Sequence, residues 1–158
     1  MKIREIQKND NPQVKEVIQK VLVEFGVPKI GTAYADVSLN DMYSHYNKPG
    51  MKYFVVESEG RIIGGAGIAP LENGDPQVCE LQKMYFLPEA RGKGIGSEMM
   101  AACLAEAKKE GYTKCYLETM PYMDNARKLY ARTGFTELDG PMGDTGHYNC
   151  QKWMIKDL

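Results

Sequence analysis

Seven consecutive residues, Arg91-Gly-Lys-Gly-Ile-Gly-Ser97, offer the first recognisable chemistry in this chain. Glycines at alternate positions leave main-chain N–H groups unshielded, and a helical period begins directly afterwards, with Met100, Cys103, Leu104 and Ala107 at i, i+3, i+4 and i+7. The dipole of such a helix adds partial positive charge at its start, so the loop is suited to a phosphate or pyrophosphate. Spacing excludes two common phosphate loops. A dinucleotide fingerprint counted from Gly92 and Gly94 meets Ser97 where its third glycine belongs. A Walker loop needs a hydroxyl residue after its lysine, and Lys93 is followed by Gly94. The pattern that does fit is Arg-x-x-Gly-x-Gly, as Arg91, Gly94 and Gly96.

The elements that must position this loop lie on either side of it. Val78 to Leu87 is an apolar and aromatic run bounded by turn residues, which predicts a buried strand, and Gly111 can end the helix in a left-handed cap. A second segment, Asn125-Ala-Arg-Lys-Leu-Tyr-Ala-Arg-Thr-Gly-Phe135, predicts a short helix ended by Gly134. These two segments, in this order, closely resemble the GNAT superfamily of acyl-CoA-dependent N-acyltransferases. Its central signature is Gln/Arg-x-x-Gly-x-Gly/Ala between a strand and a helix, followed by a helix carrying a tyrosine and then Gly-Phe. The resemblance covers most of the chain and is strongest from Glu80 to Phe135.

The resemblance implies an α/β (α+β) domain with a mixed, mostly antiparallel sheet and helices on both faces, and an acetyl-CoA-dependent N-acetyltransferase activity. Main-chain N–H groups of Gly92, Lys93, Gly94, Ile95, Gly96 and Ser97 would hold the coenzyme A pyrophosphate, with Arg91 of the signature also counted in the cofactor site. The pantetheine arm would run beside Met84, Tyr85 and Phe86 like an extra strand, with a main-chain N–H near Phe86 polarising the thioester carbonyl. Tyr130 stands where the family's thiolate-facing tyrosine stands, and a phenol can donate a proton to a forming thiolate. For the base, Glu80 matches one position used in the family and Glu118 another, with Glu80 placed first. Each could equally be a solvated glutamate at a strand end. Many relatives have an asparagine seven residues before the tyrosine. Met123 occupies that position here, and Asn125 is read as a cap of the short helix.

Composition narrows the alternatives. A chain of 158 residues with 43% hydrophobic content and four scattered cysteines is one ordinary globular domain, residues 1–158, with reduced cysteines and no metal. Net charge is −1 and the pI about 6.1, so there is no global basic field for nucleic acid or an anionic membrane. The N-terminus has no apolar leader and no run approaches membrane-spanning length, which predicts a cytoplasmic protein, and the near-neutral charge and short chain favour a small-molecule amine as acceptor. The resemblance also allows a homodimer through the last strands, around Trp153-Met-Ile155. A catalytically silent acyl-CoA sensor is the rival reading.

Along the chain, the order β-α-(α)-β-β-β-α-β-α-β-β is expected. It includes a hairpin Tyr53–Glu57 and Arg61–Ala69 turning at Glu59-Gly60, and a last strand His147–Ile155. Gly64, Gly65 and Gly67 predict close approach of a ligand or of packed neighbours. Residues 29–49 have no clear period. Ser38 is read there as a helix cap, and Tyr34, Asp36, Tyr43 and His45 are candidates for selecting the acceptor. His147 and Tyr148 could orient a substrate carboxylate or amine. Strand alternation sets His147 and Cys150 on opposite faces, which argues against a covalent acyl-enzyme on Cys150.

Overall fold

A computed structural model describes residues 1–158. Seven strands form one sheet: β1 Lys2–Glu5, β2 Lys52–Ser58, β3 Arg61–Pro70, β4 Val78–Phe86, β5 Lys114–Thr119, β6 Thr136–Leu138 and β7 Lys152–Asp157, in spatial order β1-β2-β3-β4-β5-β7-β6. Every neighbouring pair is antiparallel except β4 with β5. The main helices are α1 Asn11–Glu24, α2 Met42–Tyr46, α3 Ile95–Lys109 and α4 Asp124–Thr133. The valine, isoleucine and leucine stripe of α1 and the stripe of α3 are both buried. Both helices lie over β3 without packing on each other, so they cover opposite faces of the sheet. A core cluster of 36 residues fills the two layers.

The only parallel pair is also the shortest contact in the middle of the sheet. β4 and β5 pair over Val78–Glu80 and Lys114–Tyr116, and no further. Beyond Glu80 the strands diverge, so one edge of β4 from Leu81 to Phe86 has no strand partner. A cleft opens at that divergence.

Close packing accounts for the glycines of β3. A Cβ at Gly65 would come within 2.7 Å of the Tyr53 ring, and one at Gly64 within 2.4 Å of the Phe86 ring. With Gly65 bare, the Tyr53 ring lies on the sheet and its hydroxyl donates to the Lys83 carbonyl at 2.8 Å. That bond sits at a bulge, where the register slips between Gly65 and Gly67 and Lys83 takes φ 51°. A non-glycine residue in this region stores on the order of 1–3 kcal/mol, held here by its neighbours.

Four local expectations are corrected. The last strand starts at Lys152 instead of His147, and residues 147–150 form a turn closed by Cys150 N–H donating to the His147 carbonyl at 2.9 Å. His147 and Cys150 therefore lie together. Asp41, not Ser38, caps the short helix α2 by accepting from Ser44 N–H at 3.1 Å. Asn125 is in the first turn of α4, past the cap position at Met123, and makes no capping bond. The run Trp153-Met-Ile155 lies inside the sheet, paired with β5 on one side and β6 on the other, with Met154 buried and Trp153 and Ile155 half-buried.

Candidate active site

The cleft between β4 and β5 has a volume of about 330 Å³ and two chemically different arms. One is built from main chain. Pro88–Ala90 makes a single turn after β4, Gly92 and Gly94 take φ 74° and 79°, and Gly94 is the N-terminal cap of α3. The first intrahelical donor is Glu98 N–H, to the Gly94 carbonyl at 3.2 Å, and the N–H groups of Gly92 through Ser97 have no acceptor in the protein. An anion at this loop meets a row of unpaired donors reinforced by the helix dipole. An added Cβ at Gly92 or Gly94 would meet nothing within 4 Å, so left-handed backbone is the reason for these glycines. Gly96 instead makes room for Leu129, which would stand 3.2 Å from a Cβ there.

Arg91, expected beside these donors, turns its guanidinium away from them. It donates to the Phe86 carbonyl at 2.8 and 3.1 Å and forks onto the Glu24 carboxylate at 2.7 and 2.9 Å, with its cation 5.2 Å from the Phe25 ring. Its role in this geometry is to tie the end of β4 to the end of α1. Met84, Tyr85 and Phe86 are half-buried along the unpartnered edge of β4, where an extended chain could add as a strand does.

The second arm is built from side chains. Glu80 is only 4% exposed, and burial raises its pKa to about 7; the hydrogen bond from Gln82 opposes that shift and the nearby Glu118 charge adds to it. Gln82 donates to Glu80 Oε1 at 2.6 Å and accepts from the Tyr46 hydroxyl at 2.6 Å. Glu80 Oε2 has no partner, yet no fully buried side-chain polar atom is left unpaired, so this oxygen reaches the cleft. Glu118 differs: Tyr116 donates to one oxygen at 2.7 Å and Thr145 to the other.

Lys83, unremarked in the sequence, is buried in this arm and pairs with Asp36 at 3.0 Å. The same carboxylate accepts from His147 Nε2 at 2.9 and 3.0 Å. Burial alone would lower the pKa of His147, but the hydrogen bond and charge of Asp36 outweigh it and raise the value. Burial likewise opposes ionisation of Asp36, and His147 with Lys83 overcome it. Asp36 thus links the loop after α1 to the loop before β7. Asn149 adds to this link, with its amide nitrogen on the Ile30 carbonyl at 2.5 Å and its N–H on the Gly31 carbonyl at 3.0 Å.

Tyr130 projects from α4 between the two arms. Its ring packs edge-on against Phe135 with centroids 6.1 Å apart, and burial raises its pKa. The hydroxyl makes no hydrogen bond within the protein and is not sealed from the cleft, which leaves it free to donate to a bound group. Asn125 and Met123 also line the cleft. Among the expected acceptor residues, Asp36 joins the network, whereas Tyr34, Tyr43 and His45 do not line this cleft, and Tyr148 is 72% exposed with its ring beside Gly31. A lysine at an inward position of an apolar strand was the signal that could have revealed Lys83.

Comparison with known proteins agrees with this geometry. Residues 16–135 match the model of the acetyltransferase (GNAT) family. An uncharacterized N-acetyltransferase of Escherichia coli K12, YjgM, is 41% identical over 157 residues, spanning 99% of this chain and 94% of that protein. Among solved structures, a GNAT-family acetyltransferase from Staphylococcus aureus Mu50 superposes with a TM-score of 0.87 at 20% identity, covering 99% of this chain and 98% of that one. The PaiA N-acetyltransferase of Thermoplasma acidophilum, solved in complex with coenzyme A, gives 0.75 at 18% identity, covering 99% and 98%. No helix is long and apolar enough to cross a membrane. The chain belongs to the GNAT family and is an acetyltransferase.

Proposed function

We propose that the protein transfers an acetyl group from acetyl-CoA to the primary amine of a small molecule by direct attack within a ternary complex. One observation carries this reading: the unpaired donors of the glycine loop, the open edge of β4 and the unpartnered oxygen of Glu80 face one continuous cleft, with the Tyr130 hydroxyl between them. Main-chain N–H groups of Gly92 through Ser97 hold the pyrophosphate, and the edge at Met84, Tyr85 and Phe86 takes the pantetheine arm. Glu80 Oε2 accepts the proton of the incoming amine. The amine nitrogen bonds to the thioester carbon, the carbon–sulfur bond breaks, and Tyr130 supplies a proton to the departing thiolate.

A pKa near 7 suits Glu80 to this work, since it is ionised in a useful fraction of molecules yet basic enough to take a proton. Glu118, with a donor on each oxygen, is held for structure and for charge. Cys150 lies close to His147, but burial and then the Glu118, Glu80 and Asp36 charges push its thiol up to about 12, so it offers no thiolate for a covalent intermediate. The carboxylates of this arm draw an amine in its ammonium form.

The test is release of free coenzyme A from acetyl-CoA across a panel of small amines, comparing the natural protein with Tyr130→Phe and Gly94→Trp. Turnover with one amine class, slowed by Tyr130→Phe and lost with cofactor binding in Gly94→Trp, is the expected result. Tight acetyl-CoA binding with no turnover on any amine would sink this reading in favour of a sensor.

A further inference from the structure

The side-chain arm contains a constellation that acetyl transfer does not use. A carboxylate oxygen of Glu118, a ring nitrogen of His147 and the Cys150 sulfur lie within 4.8 Å of one another, and all three residues line the cleft. His147 and Cys150 form His-x-x-Cys, and the turn closed by Cys150 N–H on the His147 carbonyl brings both onto the same side as the end of β5. Two ligands separated by two residues in a tight turn, with a third from a distant strand, is the usual layout of a protein zinc site. We infer that Glu118, His147 and Cys150 form a Zn²⁺ site, with the fourth coordination position open to the cleft.

The surroundings of the histidine support this assignment. His147 Nε2 faces the Asp36 carboxylate at 2.9 and 3.0 Å, so the proton belongs on Nε2 and the Nδ1 lone pair is left towards Glu118, 3.8 Å away. A carboxylate on the far nitrogen is the arrangement that orients metal-binding imidazoles and fixes their tautomer. Glu118 is similarly braced by Tyr116 and Thr145, and each oxygen retains a lone pair for a metal. Charge agrees as well: Lys83 offsets Asp36, which leaves Glu118 facing no cation but the imidazole. Ligand chemistry selects the ion, because a thiolate and an imidazole favour Zn²⁺ over Mg²⁺ or Ca²⁺, which take oxygen ligands. Zn–S and Zn–N bonds of about 2.3 and 2.0 Å place tetrahedral ligands about 3.3–3.8 Å apart, so closure needs side-chain movement of about 1 Å. Binding converts the Cys150 thiol to thiolate and releases its proton to solvent.

The experiment is titration of metal-stripped protein with Co²⁺, a spectroscopic stand-in for Zn²⁺. The site predicts a near-ultraviolet sulfur-to-cobalt charge-transfer band with the intense visible bands of a four-coordinate ion, saturating at one equivalent and abolished by one equivalent of Zn²⁺. Cys150→Ser removes the charge-transfer band, and His147→Gln weakens binding at least tenfold. Asp36→Asn weakens it about 10–100-fold while the band keeps its position, as expected for a residue acting through the imidazole. Natural protein without the band, or Cys150→Ser that retains it, overturns the assignment. Both readings come from absorbance, so they stand apart from whether any amine is acetylated.

Discussion

The two arms of the cleft are built in opposite ways. The glycine arm uses main-chain donors from one continuous stretch, Gly92 to Ser97, and asks its side chains mainly to be absent. The opposite arm is assembled from Asp36, Glu80, Lys83, Glu118 and His147, drawn from two loops and two strands that meet only in the folded chain. A main-chain grip tolerates change in whatever side chains surround it and recognises a group common to many substrates. A network of buried charges is sensitive to each member and can recognise one acceptor. Substitutions should therefore behave differently in the two arms.

The largest effect is expected at Glu80. Glu80→Gln should lower kcat/KM by about 10²–10⁴-fold, the range for loss of a general base, while leaving acetyl-CoA affinity within a few-fold. In the natural protein the rate should rise with pH through about 7 as Glu80 loses its proton, and this limb should vanish in the variant. Stability should move the other way. The folded chain holds the Glu80 proton up to about pH 7, whereas an unfolded chain releases it near 4.5. The difference costs nothing below pH 4.5, grows as pH rises towards 7, and then stays constant at on the order of 3 kcal/mol. Glu80→Gln should recover part of this at pH 8, seen as a higher urea midpoint. A variant both inactive and less stable at pH 8 would assign Glu80 a structural task.

Next comes the asymmetry around Asp36. Asp36→Asn leaves the Lys83 ammonium, with a side chain 4% exposed, without its counter-charge, and should cost about 3 kcal/mol of unfolding free energy. Lys83→Met should cost less, because Asp36 keeps His147 as a partner. Equal losses in the two variants would mean that Lys83 finds another partner, and the arm would be less of a network than its geometry suggests.

Tyr130→Phe should have a smaller effect, lowering kcat about 10²-fold, the lower end of the range for a general acid, with little change in either KM, since only the proton donated to the thiolate is lost. Its ring keeps its place against Phe135, so the melting temperature should not move.

These contrasts also explain what the sequence could disclose. Main-chain chemistry is written in sequence as glycines at set spacing, so the loop and both flanking elements could be read from Arg91-x-x-Gly-x-Gly and from periodicity, whereas the mixed, mostly antiparallel sheet followed from the family resemblance. Glu80 and Tyr130 stand out through the resemblance and not through spacing alone, and both line the cleft. The Asp36–Lys83–His147 network was not, because its members are 47 and 64 residues apart in turn and no local pattern encodes the meeting. Reading residues 147–151 as strand was the specific error. The alternation of His147 to Ile155 resembles a strand, but the chain turns at Cys150 to bring Asn149 onto Gly31, and that long-range bond overrides local preference. The same long-range reach makes His147 and Cys150 neighbours.

The smallest expected effect tests whether the glycine arm depends on side chains at all. Arg91 is the only charged residue of the loop with a defined partner, yet its guanidinium reaches Glu24 and the Phe86 carbonyl and not the row of free donors. Glu24→Gln removes one of those ties. The pair is partly exposed, at 34% and 41%, so its loss should cost about 0.5 kcal/mol after screening. The Arg91 hydrogen bond holds the Glu24 carboxyl below its ordinary value against a small opposing effect of burial. This contribution is therefore present above pH 4.5 and disappears as pH falls through the lowered value, so natural and variant proteins should converge in stability in acid. The KM for acetyl-CoA should be unchanged, because Arg91 retains the Phe86 carbonyl and the N–H groups of Gly92 to Ser97 keep their backbone angles. A tenfold rise in KM would show that the guanidinium tension between α1 and β4 sets the loop, and the two arms would then share one design.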